Sequence, residues 1–188
     1  VKRYAHLDSL IDTVKPQHIV EIGTNAGARA FAMCKRALNH HAAIRYTGFD
    51  VFEHETPEFH EAVFNGKKPG NKQTVTHVLA TLKNVEVDLV QGKTQDTLHG
   101  EMIVCDFAFV DGDHRAAEIE ADFYSLSCPV IVLDDFYSPD ENGICPDISK
   151  VGCNQLVSKL DPASYQILPS VDRVRGGGFV HFVTVRLK

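Results

Sequence analysis

The chain's 188 residues are 44% hydrophobic and 9% aromatic, enough length and apolar content for one domain spanning residues 1–188 around a substantial core. Its 25 Asp and Glu outweigh 19 Lys and Arg, and its basic residues form nothing longer than pairs such as Lys67-Lys68, so the clustered positive face that nucleic acid requires is not expected. No apolar run approaches the ~20 residues of a membrane-crossing helix, and the five cysteines are odd in number and lack C-x-x-C spacing; both point to a soluble, cytoplasmic protein with free thiols.

Leu7, Leu10, Ile11 and Val14 have helical spacing, and Pro16 stops that helix, which is expected to cover one edge of a site that follows. That site begins in QHIVEIGTNAGARA, residues 17–30, which reads as strand, glycine turn and helix. Ile19, Val20 and Ile22 suit a buried strand, and the alanines from Ala26 to Ala32 suit a helix packed close to a sheet. Gly23 and Gly27 let a ligand approach the turn and the helix N-terminus, as in a nucleotide-type site. The spacing is E-x-G-x-x-x-G, so the G-x-G-x-x-G fingerprint of dinucleotide enzymes is not matched. A second strand, IRYTGFDV (residues 44–51), ends in Asp50, roughly 20 to 30 residues past the glycine turn, where such folds place an acid on ribose hydroxyls.

Residues 53–72 carry Pro57, Gly66, Pro69 and Gly70 and read as a long excursion with one short helix around Glu58 to Phe64, its His54 and His60 solvated. A helix over residues 74–82 and a strand over 85–90 lead into QGKTQDTL. CDFAFV (residues 105–110) is a strand running into Asp111-Gly112-Asp113-His114, and residues 115–126 form a helix capped by Asp113 or His114. PVIVL (residues 129–133) is a wholly apolar strand ending in Asp134-Asp135, followed by a loop over 137–147 and a helix over 150–160. Strands apolar throughout imply a parallel sheet between helices. Residues 164–168 and 179–187 are two further strands joined through Gly176-Gly177-Gly178 without a helix, an antiparallel hairpin. The expected class is α/β, a Rossmann-like three-layer sandwich with a mostly parallel seven-stranded sheet and that C-terminal hairpin.

In an open sheet of this kind the ligand crevice lies outside the carboxyl ends of the strands. Those ends carry Glu21, Asp50, Asp111 and Asp134-Asp135. So many carboxylates repel one another unless a positive charge lies among them, and the sequence offers few basic residues nearby. A hard divalent cation with oxygen ligands, magnesium or manganese, suits Asp111 with Asp134 and Asp135.

In their order these motifs resemble those of class I S-adenosylmethionine-dependent methyltransferases, and within that group the metal-dependent O-methyltransferases of the catechol and sugar types. VEIGTNAG resembles their first motif, FDVF their ribose acid, GKTQD the loop beside adenine, DGDH the metal acid followed by a base, and VLDD the metal pair. The resemblance implies that Glu21, Gly23, Thr24, Asn25 and Gly27 surround the methionine part of S-adenosylmethionine and that Asp50 binds its ribose. It implies that Gly92, Thr94 and Gln95 line adenine, that Asp111, Asp134 and Asp135 hold the metal, and that His114 takes the proton of a small-molecule hydroxyl acceptor. The catechol enzymes have Lys where His114 stands, and Asp135 replaces the Asn common in the metal pair.

The implied reaction is in-line attack of an acceptor oxygen on the sulfonium methyl carbon, with His114 and Asp111 as catalytic residues. Three other classes share part of the pattern. A nicotinamide-dependent oxidoreductase would share the sheet and Asp50 but not the hairpin, and a metal-dependent hydrolase would share the acids without needing the glycine loop. A non-catalytic S-adenosylmethionine-binding domain would share everything but turnover.

Overall fold

Strand β1, His18–Ile22, is the axis of the molecule: from Ile19 onward every residue is buried, because neighbouring strands flank it and helices cover both its faces. The computed structural model describes residues 1–64, 68–98 and 100–187, so Gly66 and Lys67 of the excursion lie outside the described residues. Strands β2 (Ile44–Asp50), β3 (Val85–Gln91), β4 (Phe107–Val110), β5 (Val130–Ser138), β6 (Tyr165–Leu168) and β7 (Phe179–Arg186) complete a seven-stranded sheet in the order β3-β2-β1-β4-β5-β7-β6. The first five run parallel, and β7 is antiparallel to both β5 and β6. This is the Rossmann-like sandwich expected from the sequence, with the terminal hairpin as its antiparallel edge.

Helices α1 (Arg3–Val14), α2 (Ala28–Ala37) and α4 (Lys72–Ala80) bury Leu7, Ile11, Ala30, Met33, Val75 and Leu79 on one face of the sheet. On the opposite face α6 (Ala116–Tyr124) and α7 (Gly152–Val157) bury Ile119, Phe123, Leu156 and Val157. Helix α3 (Pro57–Phe64) belongs to the excursion after β2, and α5 (Thr94–Thr97) is a single turn after β3. Lys15 ends α1 in the left-handed region at φ 52°, its N–H donating to Ile11 O, and Pro16 then prevents further helix.

Four local expectations change. Strand β5 does not stop at Leu133: it runs through the acids to Ser138, with Phe136 to Ser138 pairing with β7 after a shift of register. The helix after Asp111 is not capped by Asp113 or His114; Arg115 is its N-cap, with Asp113 accepting from the Arg115 N–H one turn earlier. The helix expected over 150–160 is the shorter α7, with a 3-10 turn over Ile148–Lys150 before it. His54 is exposed as expected, but His60 is buried inside α3.

Candidate active site

The loops at the carboxyl ends of β1 to β4 enclose a cleft of about 860 Å3, open solvent included. Gly23, immediately after β1, has φ 91°, and a Cβ there would stand 2.0 Å from the Asp111 carbonyl oxygen, so the loops after β1 and β4 touch where only glycine fits. Its N–H donates to Phe49 O of β2 at 2.8 Å. Asn25, at φ 48°, donates its N–H to Asp50 Oδ2 at 2.7 Å, and the Phe52 N–H donates to Asp50 Oδ1 at 2.6 Å. Two backbone donors therefore fix the Asp50 carboxylate at the cleft wall, each oxygen keeping acceptor capacity for a ligand hydroxyl. Burial pushes its pKa up in spite of these N–H groups.

The wall across from β1 is formed by Gly92, Lys93, Thr94 and Gln95 after β3, and by Phe59, His60 and Phe64 of α3. Lys93 Nζ lies 4.7 Å from the Phe59 ring centre and 3.4 Å from Glu55 Oε1, tying α3 to the loop after β3. Gln95 reaches the cleft rim but donates its side-chain amide to Glu118 Oε2. Two further wall residues carried no site role in the sequence, where His60 reads as a solvated histidine. His60 is 6% exposed with neither ring nitrogen partnered, and Asp122 is 2% exposed with Oδ2 unpartnered, among the described residues. The signal for Asp122 was its helical register: it shares the buried face of α6 with Ile119 and Phe123, where an acid is out of pattern. Burial raises its pKa to about 6 against the lowering effect of a hydrogen bond from Thr94.

Of the residues that resemblance assigns to the cofactor, Gly23, Asn25, Asp50, Gly92, Thr94 and Gln95 line the cleft. Glu21, Thr24 and Gly27 do not. Glu21 lies fully buried beneath the floor, where the Tyr46 hydroxyl donates to its Oε2, and burial pushes its carboxyl up to about 8. Thr24 is packed against the same Tyr46 hydroxyl at 3.4 Å, and Gly27 starts α2 with φ 80°.

Beside the cleft, the acids divide into two sets. Asp134, 2% exposed, accepts from Arg3 Nη1 at 2.7 Å, and the same nitrogen lies 3.0 Å from Asp135 Oδ1. Arg3 comes from α1, the helix expected at one edge of the site, and supplies the positive charge that the sequence reading sought in a metal. Burial pulls the guanidinium down, but Asp134, Tyr4 and Asp135 outweigh it and hold it above its ordinary value. Asp135, at φ 59° in the bulge of β5, turns Oδ2 the other way, 3.2 Å from His114 Nδ1. Asp111, His114 and Asp135 each offer one ligand atom within 4.8 Å of the others, whereas Asp134 lies outside that group. Burial, then the charges of Asp134 and Asp135, raise the Asp111 carboxyl well above the usual carboxylate range.

A family model described as a methyltransferase domain matches residues 20–132, the stretch from β1 to β5 that builds the cleft. No curated protein sequence matches the chain. Among solved structures, the chain is similar to an O-methyltransferase from Bacillus cereus in complex with SAH, at 19% identity and a TM-score of 0.63, over 97% of this chain and 79% of that one. It is similar at 19% identity and a TM-score of 0.61 to an O-methyltransferase from Streptomyces achromogenes, involved in tomaymycin synthesis and in complex with SAM, over 97% of this chain and 78% of that one. A methyltransferase from Geobacter sulfurreducens is similar at 15% identity and a TM-score of 0.61, over 100% of this chain and 80% of that one.

Proposed function

The chain belongs to the methyltransferase-domain family, and from that premise we propose that it transfers a methyl group from S-adenosylmethionine to a hydroxyl of a small-molecule acceptor. The observation that carries this reading is the cleft at the carboxyl ends of β1 to β4, with Asp50 held by two backbone N–H groups beside the Gly23–Asn25 turn. S-adenosylmethionine, when bound, supplies a methyl carbon activated by its sulfonium. Asp50 accepts from ribose hydroxyls, and Gly23, whose missing Cβ lets the loops after β1 and β4 touch, sets the floor on which the methionine part lies. The enclosing α3 keeps water from the sulfonium.

His114 is the base in this reading. Asp135 Oδ2, 3.2 Å from its Nδ1, holds the imidazole in place, which leaves Nε2 to accept the hydroxyl proton. Asp111, His114 and Asp135 would also hold a divalent cation, which supplies Lewis acidity toward an acceptor oxygen. Two carboxylates and an imidazole fit manganese or another transition ion better than magnesium, which prefers oxygen throughout. Using Nδ1 as a ligand breaks its pairing with Asp135, so the two roles of His114 exclude each other. Arg3, already balancing Asp134 and Asp135, favours a second reading in which the base acts without a metal.

The cytoplasm is the proposed compartment, since Cys34, Cys105, Cys128 and Cys153 are buried free thiols, and no described helix is long and apolar enough to cross a membrane. Incubating the protein with methyl-labelled S-adenosylmethionine and a panel of catechols, sugars and other hydroxyl compounds, with and without chelator, tests the function. Label in at least one acceptor supports it; binding without turnover on every acceptor favours a non-catalytic cofactor-binding domain. Calorimetric titration of manganese into wild type and Asp135→Asn separates the two roles of His114. Binding by the wild type alone supports the metal site.

A further inference from the structure

We propose that Cys105 and Cys128 are a redox pair, two neighbouring core thiols that hydrogen peroxide converts to a disulfide and a dithiol reductant restores. Neither residue lines the cleft, so the proposal holds whatever the cleft binds. The pairing follows from strand register. Two short strands, Ile103–Val104 and Leu126–Ser127, run parallel with Ile103 opposite Leu126 and Val104 opposite Ser127. The Cys105 N–H donates to Ser127 O at 3.2 Å, which continues the ladder by one step and sets Cys105 opposite Cys128. Neighbouring strands lie about 4.8 Å apart, inside the Cα separation of roughly 4.4–6.8 Å that a disulfide spans, and facing residues of a ladder point to one side of it. That side is the core, where Cys105 is 5% and Cys128 4% exposed and their side chains are hydrogen-bonded.

The two thiols are not equivalent. The Cys128 thiol donates to the Val130 carbonyl at 3.1 Å, which leaves its sulfur lone pairs to accept from Cys105. The hydrogen bond between them lowers Cys128 below its ordinary pKa, ahead of the opposing effect of burial, and raises Cys105. Burial raises Cys34, Cys145 and Cys153, so Cys128 alone is shifted toward the thiolate. Cys128 is therefore the nucleophile and Cys105 the resolving thiol. A small oxidant has a short way to travel, since Val104 and Asp106 on either side of Cys105, and Ser127 and Pro129 on either side of Cys128, are exposed.

The Cys128 thiolate attacks one peroxide oxygen, the O–O bond breaks, and the departing hydroxide takes up the proton that Cys128 released and becomes water. Cys128 is then a sulfenic acid. The Cys105 sulfur attacks the Cys128 sulfur; the S–S bond forms, the S–O bond breaks, and the hydroxyl leaves with the Cys105 proton as a second water. Two thiols lose two electrons and two protons, and the peroxide is reduced to two waters. The new bond would tie the amino ends of β4 and β5, the strands that lead to Asp111 and to Asp134-Asp135. In a reducing compartment such a bond is transient, formed under oxidation and then reduced.

The folded protein should be treated with hydrogen peroxide in about tenfold molar excess, alkylated in denaturant, digested and analysed by mass spectrometry, with and without dithiothreitol. A peptide linking Cys105 to Cys128 should rise at least about tenfold over the untreated sample and disappear on reduction. The roles give a second readout. Cys105→Ala, which removes the resolving thiol, should carry Cys128 on to sulfinic acid, whereas Cys128→Ala should leave Cys105 reduced. A folded wild type that yields no linked peptide, or yields it only when urea precedes the peroxide, overturns the inference. So does oxidation of Cys105 in Cys128→Ala to the same extent as Cys128 in Cys105→Ala. If either variant does not fold, linkage in the wild type decides alone.

Discussion

Two residues carry separable tests, one of folding and one of chemistry. Glu21 is held protonated by burial, with its pKa raised from 4.5 to about 8. Between those values the folded chain keeps a proton that the unfolded chain has released, so this group's contribution to stability falls as pH rises through the window, by up to about 1.4 kcal/mol per pH unit, and levels off above it. The difference in melting temperature between wild type and Glu21→Gln should therefore move against the wild type from pH 5 to pH 8 in calorimetric scans; a constant difference contradicts the assignment. For His114→Ala the account expects a fall in turnover of at least about a hundredfold with little change in S-adenosylhomocysteine affinity. Turnover within about threefold of the parent would remove His114 as the base. Gly23→Val is unsuited to testing the cofactor, because its Cβ would meet the Asp111 carbonyl at 2.0 Å and disturb the fold first. Asp50, Asp111 and His114 were legible because strand-end acids and the residues just after them stand out from apolar runs. His60, which reads as solvated in a polar excursion, and Asp122, one acid within a helix whose neighbours read as ordinary packing, were not, since only the tertiary arrangement turns them toward a cavity.

At the scale of elements, α1 and β5 are coupled by a single side chain. Arg3, 18% exposed, bridges Asp134 and Asp135 across the bulge and also lies 5.1 Å from the Tyr4 ring centre and 5.8 Å from that of Phe182. Removing it leaves two adjacent carboxylates without their cation, so Arg3→Ala should lose about 2–3 kcal/mol of stability in urea unfolding. A loss under about 0.5 kcal/mol would mean that solvent or a bound cation balances the acids instead. Helix α3 offers the opposite case. His60 is buried between Phe59 and Phe64 with both ring nitrogens unpartnered among the described residues, so His60→Leu should leave the ligand-free protein as stable as the parent or more so, by about 1 kcal/mol. A clear loss in the same unfolding assay would show that the imidazole is satisfied in solution. The run PVIVL identified β5, but its continuation through DDFYS was hidden because paired acids usually mark a strand's end. The bulge at Asp135 and the pairing of Phe136 to Ser138 with β7 are long-range facts that local pattern does not carry. The α1 helix was visible from its apolar spacing, whereas the partner of Arg3, 131 positions away in sequence, was not.

The whole molecule follows from the sheet order. Strands β3, β2 and β1 run outward in one direction and β4 and β5 in the other, so the chain reverses its winding between β1 and β4, and the loops leaving those two strands diverge to form the cleft. That reversal is where Gly23 and Asp111 meet, with Asp50 to one side and His114 and Asp135 to the other. The architecture could be read from the sequence because apolar strands, glycine turns and a helix-free terminal hairpin are each local. The division of the acids between Arg3 and His114 could not, because it depends on which strand ends become neighbours. Titrating S-adenosylhomocysteine into the folded protein by calorimetry, alongside a melting curve, asks whether this cleft binds the adenosyl cofactor. Saturable one-to-one binding and a stabilisation of about 2.7 kcal/mol at a hundredfold excess over the dissociation constant are expected, whether or not a chelator is present. A folded protein that shows neither heat of binding nor any shift in melting temperature would contradict that expectation.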